Sequence, residues 1–308
     1  MRRIFGTAAV ILTAALALTA CGSGDPLATS SASPEPAGSG SASAAAGKVV
    51  VGSANFPENV LLASIYAQAL KAKGVEVEEK PNIGSREAIY KLIESGQLSV
   101  LPEYNGGLLF FVDKAATATS TDDVNAALKE KLPATLEILD SAAAQDSDSL
   151  TVTQETATKF NLKTIEDLAK VSKDFAVGGP PEFKERREQQ FKDVYGLEFK
   201  EWKPTGDTTA DAIKDDTVQV GNVFTTDPKI LINKMVSLQD TKSVFAAQNI
   251  TPLVNKAAVN DTVKATLNEI SAKLTTEQLV ELMKKVAVDK EDAATVAKGW
   301  LTANGLAS

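Results

Sequence analysis

The stretch that decides the fold is "KVVVGSANFPENVLLASIYAQALKAKG", residues 48–74. Three consecutive valines form a short apolar run that ends at Gly52, which is typical of a buried strand. Pro57 suits the first turn of a helix, and apolar residues recur at helical spacing until Gly74 stops the pattern. The stretch therefore predicts a strand followed by a helix.

The same alternation continues downstream. "VEVEEKP" (75–81) predicts a half-buried strand, "SREAIYKLIESG" (85–96) a second helix and "LSVL" (98–101) a third strand. The order βαβαβ predicts a parallel sheet with right-handed crossovers. Ligands bind beyond the carboxyl ends of such strands, so "PEYNGG", which follows the third strand and contains Tyr104, is a candidate binding segment.

A second block of alternating strands and helices occupies residues 150–249. The chain then returns through an apolar segment and ends in three predicted helices. We therefore expect an α/β protein with two lobes, residues 48–149 plus 250–308 and residues 150–249, joined by two crossover strands near 150–153 and 249–253. A cleft between two lobes is a preferred place for a ligand.

The amino terminus predicts export. Residues 1–21, "MRRIFGTAAVILTAALALTAC", have two arginines, a short apolar run and small residues, which is the pattern of a secretory signal peptide. The apolar run is too short for a spanning helix. "LTAC" (18–21) resembles the bacterial lipobox, so Cys21 is the predicted site of lipidation. The alternative is an ordinary cleaved signal followed by a free thiol.

Residues 22–47 are mostly Gly, Ser, Ala and Pro, with few residues that could be buried. This composition predicts a disordered tether with a mean span of roughly 25–30 Å. A lipid on Cys21 and this tether would hold a folded domain on the outer face of the cytoplasmic membrane.

Composition excludes several kinds of chemistry. The chain of 308 residues has no histidine and one cysteine, which excludes histidine-based nucleophile pairs, histidine metal sites and internal disulfides. Its formal net charge of −8 is unfavourable for binding nucleic acid. No cofactor and no metal is expected.

Four stretches carry a resemblance to the substrate-binding lipoproteins of osmoprotectant (glycine betaine/choline) ABC importers: residues 49–78, 82–107, 151–169 and 273–286. The resemblance covers the folded chain in the right order. It implies a type II periplasmic-binding-protein fold that closes around a small solute. The implied partners are an ABC permease and its ATPase, and the implied state is a monomer.

The resemblance also implies site residues. A quaternary ammonium is held by aromatic faces, and a carboxylate by basic groups or N–H donors. Tyr104 matches a tyrosine of the family's aromatic cage, Phe224 lies where the family often has tyrosine, and Arg186 matches a residue that contacts the ligand's carboxylate. Polar neighbours complete the predicted set: Asn55, Ser85, Asn105, Thr225, Gln248 and Asn249.

Departures from the family pattern leave the ligand open. Ala54 stands where many relatives have lysine, and Gln248 and Asn249 stand where relatives carry tyrosines. Amides in place of rings would suit a more polar, non-quaternary solute. A ligand-sensing surface lipoprotein with the same fold is a further alternative.

An enzyme is the least favoured class. Without histidine it would need two converging carboxylates with coupled pKa values, for example Glu103 and Asp227. Both have simpler interpretations, since Glu103 can brace its turn and Asp227 can cap a helix. Trp202 and Trp300 are expected to be packing residues.

Overall fold

The computed structural model describes Asp25, Leu27, residues 48–180 and residues 183–307. The predicted signal peptide with Cys21, and the predicted tether apart from Asp25 and Leu27, lie outside the described residues. Both described tether residues are buried against the folded chain. Within the described ranges no helix is both long and apolar enough to cross a membrane.

The first sheet has five strands in the order β2-β1-β3-β10-β4. β1 runs parallel to β2 and β3, as the βαβαβ pattern predicts, whereas β10 is antiparallel to both β3 and β4. The strands are β1 (Val49–Gly52), β2 (Val77–Lys80), β3 (Val100–Tyr104), β4 (Leu136–Ile138) and β10 (Ile250–Asn255).

Seven helices of the described chain accompany this sheet, and the local sequence explains where several begin. Pro57 opens α1 at the predicted position, and a capping box of Thr275 and Gln278, the first and last residues of the sequence motif "TTEQ", begins α11. The helices are α1 (Pro57–Ala72), α2 (Arg86–Glu94), α3 (Asn105–Val112), α4 (Thr121–Lys131), α10 (Asp261–Ser271), α11 (Thr276–Met283) and α12 (Ala293–Ala303).

The second sheet has the order β7-β6-β8-β5-β9, with β6 parallel to β7 and β8, and β5 antiparallel to β8 and β9. Its strands are β5 (Asp148–Thr153), β6 (Ala176–Gly179), β7 (Glu201–Pro204), β8 (Val220–Phe224) and β9 (Met235–Ser237). Its helices are α5 (Gln154–Phe160), α6 (Ile165–Ala169), α7 (Phe183–Tyr195), α8 (Thr209–Lys214) and α9 (Pro228–Ile232).

The chain crosses between the sheets twice, through residues 139–147 and 238–249. These two crossing segments run side by side where they meet. Gln145 and Asn249 form an antiparallel bridge, and the Asp146 amide donates to the Gln248 carbonyl at 3.1 Å. The predicted crossover near residues 150–153 is part of β5 inside the second sheet, so the first crossing lies a few residues earlier. Most of the predicted crossover near residues 249–253 is likewise part of β10, in the first sheet, so the second crossing also lies earlier and ends where β10 begins.

Separate apolar cores lie on the two sheets. Leu61, Ile65 and Leu101 belong to the first core, whereas Leu150 and Phe191 belong to the second. Trp202 packs with the aromatic rings of the second core and Trp300 is buried in the first. We keep the predicted lobe boundaries, 48–149 plus 250–308 and 150–249, as a proposal that this division of the cores supports.

Candidate ligand-binding site

The candidate site lies where the carboxyl ends of parallel strands from both sheets meet the first crossing segment. Tyr104 is the last residue of β3, and Glu58 lies in the first turn of α1, just after β1. Thr226 follows β8 of the second sheet, and Asp146 belongs to the crossing segment. All four side chains are buried. Their meeting place is the edge at which open α/β sheets bind ligands.

These side chains form a continuous hydrogen-bonded chain between the sheets. The Tyr104 hydroxyl donates to Glu58 Oε1 at 2.7 Å. Glu58 also hydrogen-bonds the side chain of Thr226, whose hydroxyl donates to Asp146 Oδ1 at 2.7 Å. The chain Tyr104–Glu58–Thr226–Asp146 therefore connects the first sheet, the second sheet and the crossing segment. We call it the carboxyl bridge.

The two acids of the carboxyl bridge favour their protonated forms, because burial disfavours a charged carboxyl. Burial raises the pKa of Glu58 to about 7, against which the hydrogen bonds from Tyr104 and Thr226 act only in part. Burial and the neighbouring Glu58 also raise the pKa of Asp146 well above its usual range.

Two aromatic rings line the first-sheet side of the bridge. The Tyr104 ring stacks on Phe56 with 6.1 Å between centroids, and Tyr104 is fully buried. Burial and the adjacent Glu58 raise the pKa of the Tyr104 hydroxyl well above its usual range, so it stays a donor. Phe224, the predicted second ring, ends β8 on the opposite sheet and is half-buried.

Asn55, between β1 and α1, presents an unused acceptor. Its Oδ1 is buried and has no hydrogen-bond partner among the described residues. A buried amide oxygen without a donor is costly, because the group has lost its water. A ligand that carries an N–H or O–H group would relieve that cost here.

The predicted amides Asn105, Gln248 and Asn249 are buried and join the crossing segment to the first sheet. Asn105 Oδ1 accepts from the Asn249 amide at 2.8 Å, and Gln248 Oε1 accepts from the Gly107 amide at 2.9 Å. Asn249 Oδ1 accepts from the Thr121 hydroxyl at 2.8 Å. These contacts place the three residues at the crossing, where each supports the backbone. Their predicted contact with ligand stays a prediction.

Thr225 and Ser85 lie on opposite sheets. The Thr225 hydroxyl donates to the Gln145 carbonyl at 2.7 Å and accepts from the Ser147 amide at 3.0 Å, so it fixes the crossing segment to β8. Ser85 precedes α2 in the N-cap position without a capping hydrogen bond. Its side chain hydrogen-bonds Glu87 instead, which lowers the pKa of that carboxyl.

Two arginines begin α7, and they differ in burial. Arg186, the predicted carboxylate contact, is half-buried. Arg187 is buried, lies 3.5 Å from Asp148 and covers the Phe245 ring at 5.0 Å from its centroid. Arg187 therefore braces the second crossing segment against β5, which leaves Arg186 as the arginine of this helix with access to solvent.

A groove of about 660 Å³ runs beside the crossing segments. Such a volume falls in the range of small-molecule sites. Its polar lining comes from the crossing segments, from the second sheet and from α4 and α11 beside the first sheet, and includes Thr121, Gln145, Ser147, Thr225, Ser237 and Thr276.

Sequence reasoning missed the acids of the site. Glu103 pairs with Arg86 at 2.8 Å, and Asp227 caps α9, so these two acids do not converge on each other. The acids that converge at the site are Glu58 and Asp146. The position of Glu58 after β1, at the edge where ligands bind, could have indicated it, but its approach to Asp146 of the crossing segment is not visible in a sequence.

The two sheets, the paired crossings and the polar edge between them define a two-lobed solute-binding protein of the type II periplasmic-binding fold. A solved glycine betaine/carnitine/choline ABC transporter structure superposes on this chain with a TM-score of 0.78 at 21% identity, covering 84% of this chain and 99% of that one. At this identity the likeness establishes the fold.

Residues 47–303 match the family described as the substrate-binding domain of ABC-type glycine betaine transport systems, and the chain belongs to that family. The glycine betaine-binding protein YehZ of Escherichia coli K12 is 28% identical over 280 residues, which covers 85% of this chain and 92% of that protein. The carnitine transport binding protein OpuCC of Listeria monocytogenes is 23% identical, over 82% of this chain and 86% of its own. The family consists of extracytoplasmic solute-binding components of ABC importers.

Proposed function

We propose that this protein captures a small quaternary amine, such as glycine betaine or choline, outside the cytoplasmic membrane and delivers it to an ABC permease. The observation that carries the proposal is the family match, which spans 257 residues (47–303). Two relatives are named for glycine betaine and for carnitine, and both of these solutes are trimethylammonium compounds, which supports the ligand class.

The chemistry of the site fits a quaternary cation. Tyr104 and Phe56 offer aromatic faces, each worth about 0.5–2 kcal/mol to a cation. Glu58 and Asp146 add negative charge once deprotonated, and a bound cation would favour that form. Arg186 is the proposed partner for a ligand carboxylate. We interpret the paired acids as an attraction for a cation and propose no catalytic step.

A more polar solute is the second candidate, and Asn55 favours it. Its buried Oδ1 without a partner among the described residues suits a ligand N–H or O–H, which trimethylated glycine betaine lacks and choline has. Gln248 and Asn249 would stand beside such a ligand. A sensing lipoprotein is the third candidate, and transport of the bound solute separates it from an importer component.

The proposed location is the outer face of the membrane, with Cys21 as the lipidated residue and the protein as a monomer. The test is cell fractionation of the wild type and of Cys21→Ser. The wild type should pellet with membranes and incorporate a labelled fatty acid, whereas Cys21→Ser should do neither. Equal fractionation of both proteins would remove the anchor from the proposal.

A thermal-shift screen tests the ligand, using a form that lacks residues 1–21. Glycine betaine, choline, carnitine, ectoine and proline should be compared, since a ligand raises the unfolding temperature as its concentration exceeds its dissociation constant. Calorimetry then gives the affinity, and recovery of the unaltered solute checks for turnover. Stabilisation by ectoine or proline alone would favour the more polar candidate, and a converted product would contradict a binding role.

A further inference from the structure

Asp25 and Leu27 dock on the first lobe although they lie inside the segment whose composition predicts a free tether. Leu27 is 2% exposed and belongs to the first apolar core. Asp25 is 8% exposed, and its Oδ1 accepts from the Leu27 amide at 3.1 Å. The carboxylate of Asp25 turns inward toward Arg86, with which it forms an ion pair.

Arg86 holds Asp25 together with a carboxylate of the sheet. Its guanidinium donates through Nε and Nη2 to Glu103 of β3, and through Nη1 to Asp25 Oδ2. Arg86 and Glu103 are almost fully buried. A guanidinium has five N–H donors, enough for two carboxylates. Glu103 alone uses one edge of Arg86, so the pocket has donor capacity for a second acid.

Gly107 completes the pocket. It lies in the first turn of α3, where a side chain in its place would collide with the Asp25 carboxyl group. The start of a helix also carries partial positive charge, which favours an acid. The pocket thus combines a buried guanidinium, a helix start and a missing Cβ, all directed at one carboxylate.

We propose that Asp25 and Leu27 form a docking segment that shortens the tether from 26 residues to three. Only residues 22–24 then remain between the lipid-bearing residue and the docked one, so the four steps of extended chain from Cys21 to Asp25 span at most ~14 Å, compared with a mean span of roughly 25–30 Å for a free tether. The docked lobe would stay close to the membrane with one orientation. This consequence rests on the proposed lipidation of Cys21, whereas the docking itself does not.

The position of the pocket decides that orientation. Gly107 lies two residues after Asn105, whose side chain bonds the crossing segment. Docking therefore brings the binding edge of the first sheet, and not its opposite end, next to the anchor. If Asp25 and Leu27 leave the pocket, the whole tether of residues 22–47 again separates the lobe from the anchor. The attachment to the membrane is therefore short when the segment is docked and long when it is released.

Hydrogen exchange in the form lacking residues 1–21 tests the docking without any lipid or ligand. Amides around Leu27 should exchange about tenfold more slowly in the wild type than in Asp25→Asn combined with Leu27→Ser. Gly107→Ala should give the same loss of protection without altering the tether. Glu35→Gln changes another acid of the tether and should leave protection intact. Equal exchange in the wild type and the double variant would overturn the proposal.

The shortened attachment is tested on vesicles with the lipidated protein, in which Cys21 is acylated. The measurement is energy transfer from a label on the Lys91→Cys variant to labelled lipid. The double variant should show a loss of transfer, because its lobe moves away from the surface. Protected amides in solution with equal transfer on vesicles would overturn the short attachment. A protein that acquires no lipid but keeps its protected amides would contradict the anchor of the proposed function and leave the docking in place.

Discussion

Tyr104 shows what a single residue can and cannot reveal in a sequence. Its place after an apolar run predicted a segment just beyond the third strand, whereas β3 continues through Pro102 and ends at Tyr104 itself. Its hydrogen-bond partner was not predictable, because Glu58 comes from α1 and is in turn bonded to Thr226, which follows β8 of the second sheet. Sequence spacing reveals an edge, but burial by another lobe decides which polar groups face each other.

Substitution of Tyr104 separates its ring from its hydroxyl. Tyr104→Phe keeps the aromatic face and should bind a trimethylammonium solute nearly as well as the wild type. Tyr104→Leu removes the face and should weaken binding by about 1–2 kcal/mol, measured by calorimetry. Both variants lose the donor to Glu58, so they form a matched pair. Equal affinities of the Phe and Leu variants would remove the ring from the site.

Glu58 makes stability depend on pH in a direction opposite to that of most acids. Burial raises its pKa from an ordinary value of 4.5 to about 7, so the folded chain binds the proton more tightly than the unfolded chain. The stabilisation, on the order of 3 kcal/mol, is complete below pH 4.5 and is lost as the pH rises through 7.

Glu58→Gln should flatten this dependence. A glutamine amide is uncharged at every pH and can accept from the Tyr104 hydroxyl, so the variant should be at least as stable as the wild type above pH 7. Unfolding temperatures between pH 5 and 8 measure the effect, with the exposed Glu94→Gln as control. A wild type whose stability does not fall between pH 5 and 8 would contradict a buried proton on Glu58.

At the scale of elements, the sequence predicts most strands and helices of the chain. The run before Gly52 forms β1 and α1 begins at Pro57, whereas β3 starts and ends later than the predicted strand 98–101 and includes Pro102. The predicted crossovers differ from the observed crossings by a few residues, because they fall on β5 and β10. The apolar pattern of these strands would be the same inside a sheet as between two sheets. Docking of Leu27 was not visible, since one leucine in a polar segment shows no periodicity.

The side-chain amides of Asn105, Gln248 and Asn249 join the second crossing segment to the first lobe. Asn105 makes the contact whose loss is easiest to test. Its Oδ1 accepts from the amides of Gly106 and Asn249, so Asn105→Ala would leave buried donors without a partner. The expected loss is about 1–3 kcal/mol in the free energy of unfolding, measured in denaturant. The exposed Gln97→Ala should change it little. A loss no larger than that of Gln97→Ala would show that water replaces Asn105.

At the scale of the whole molecule, we expect the carboxyl bridge to favour closure of the two lobes around a ligand. Closure depends on the difference between the ligand's affinities for the closed and open states. Contacts that exist only when the lobes meet contribute to that difference. We expect the contact between Glu58 and Thr226 to be one of these, since Glu58 lies in α1 beside the first sheet and Thr226 follows β8 of the second.

Thr226→Val preserves shape and removes the hydroxyl between the acids. Glu58 and Asp146 would then face each other without a donor, which should disfavour the closed state by about 1–3 kcal/mol and weaken ligand binding accordingly. Small-angle scattering should show a smaller ligand-induced decrease in the radius of gyration for this variant than for the wild type. The difference should grow above pH 7, where Glu58 loses its proton. Thr302→Val, on the exposed side of α12, is the control. An equal decrease in both variants would mean that closure does not depend on the carboxyl bridge.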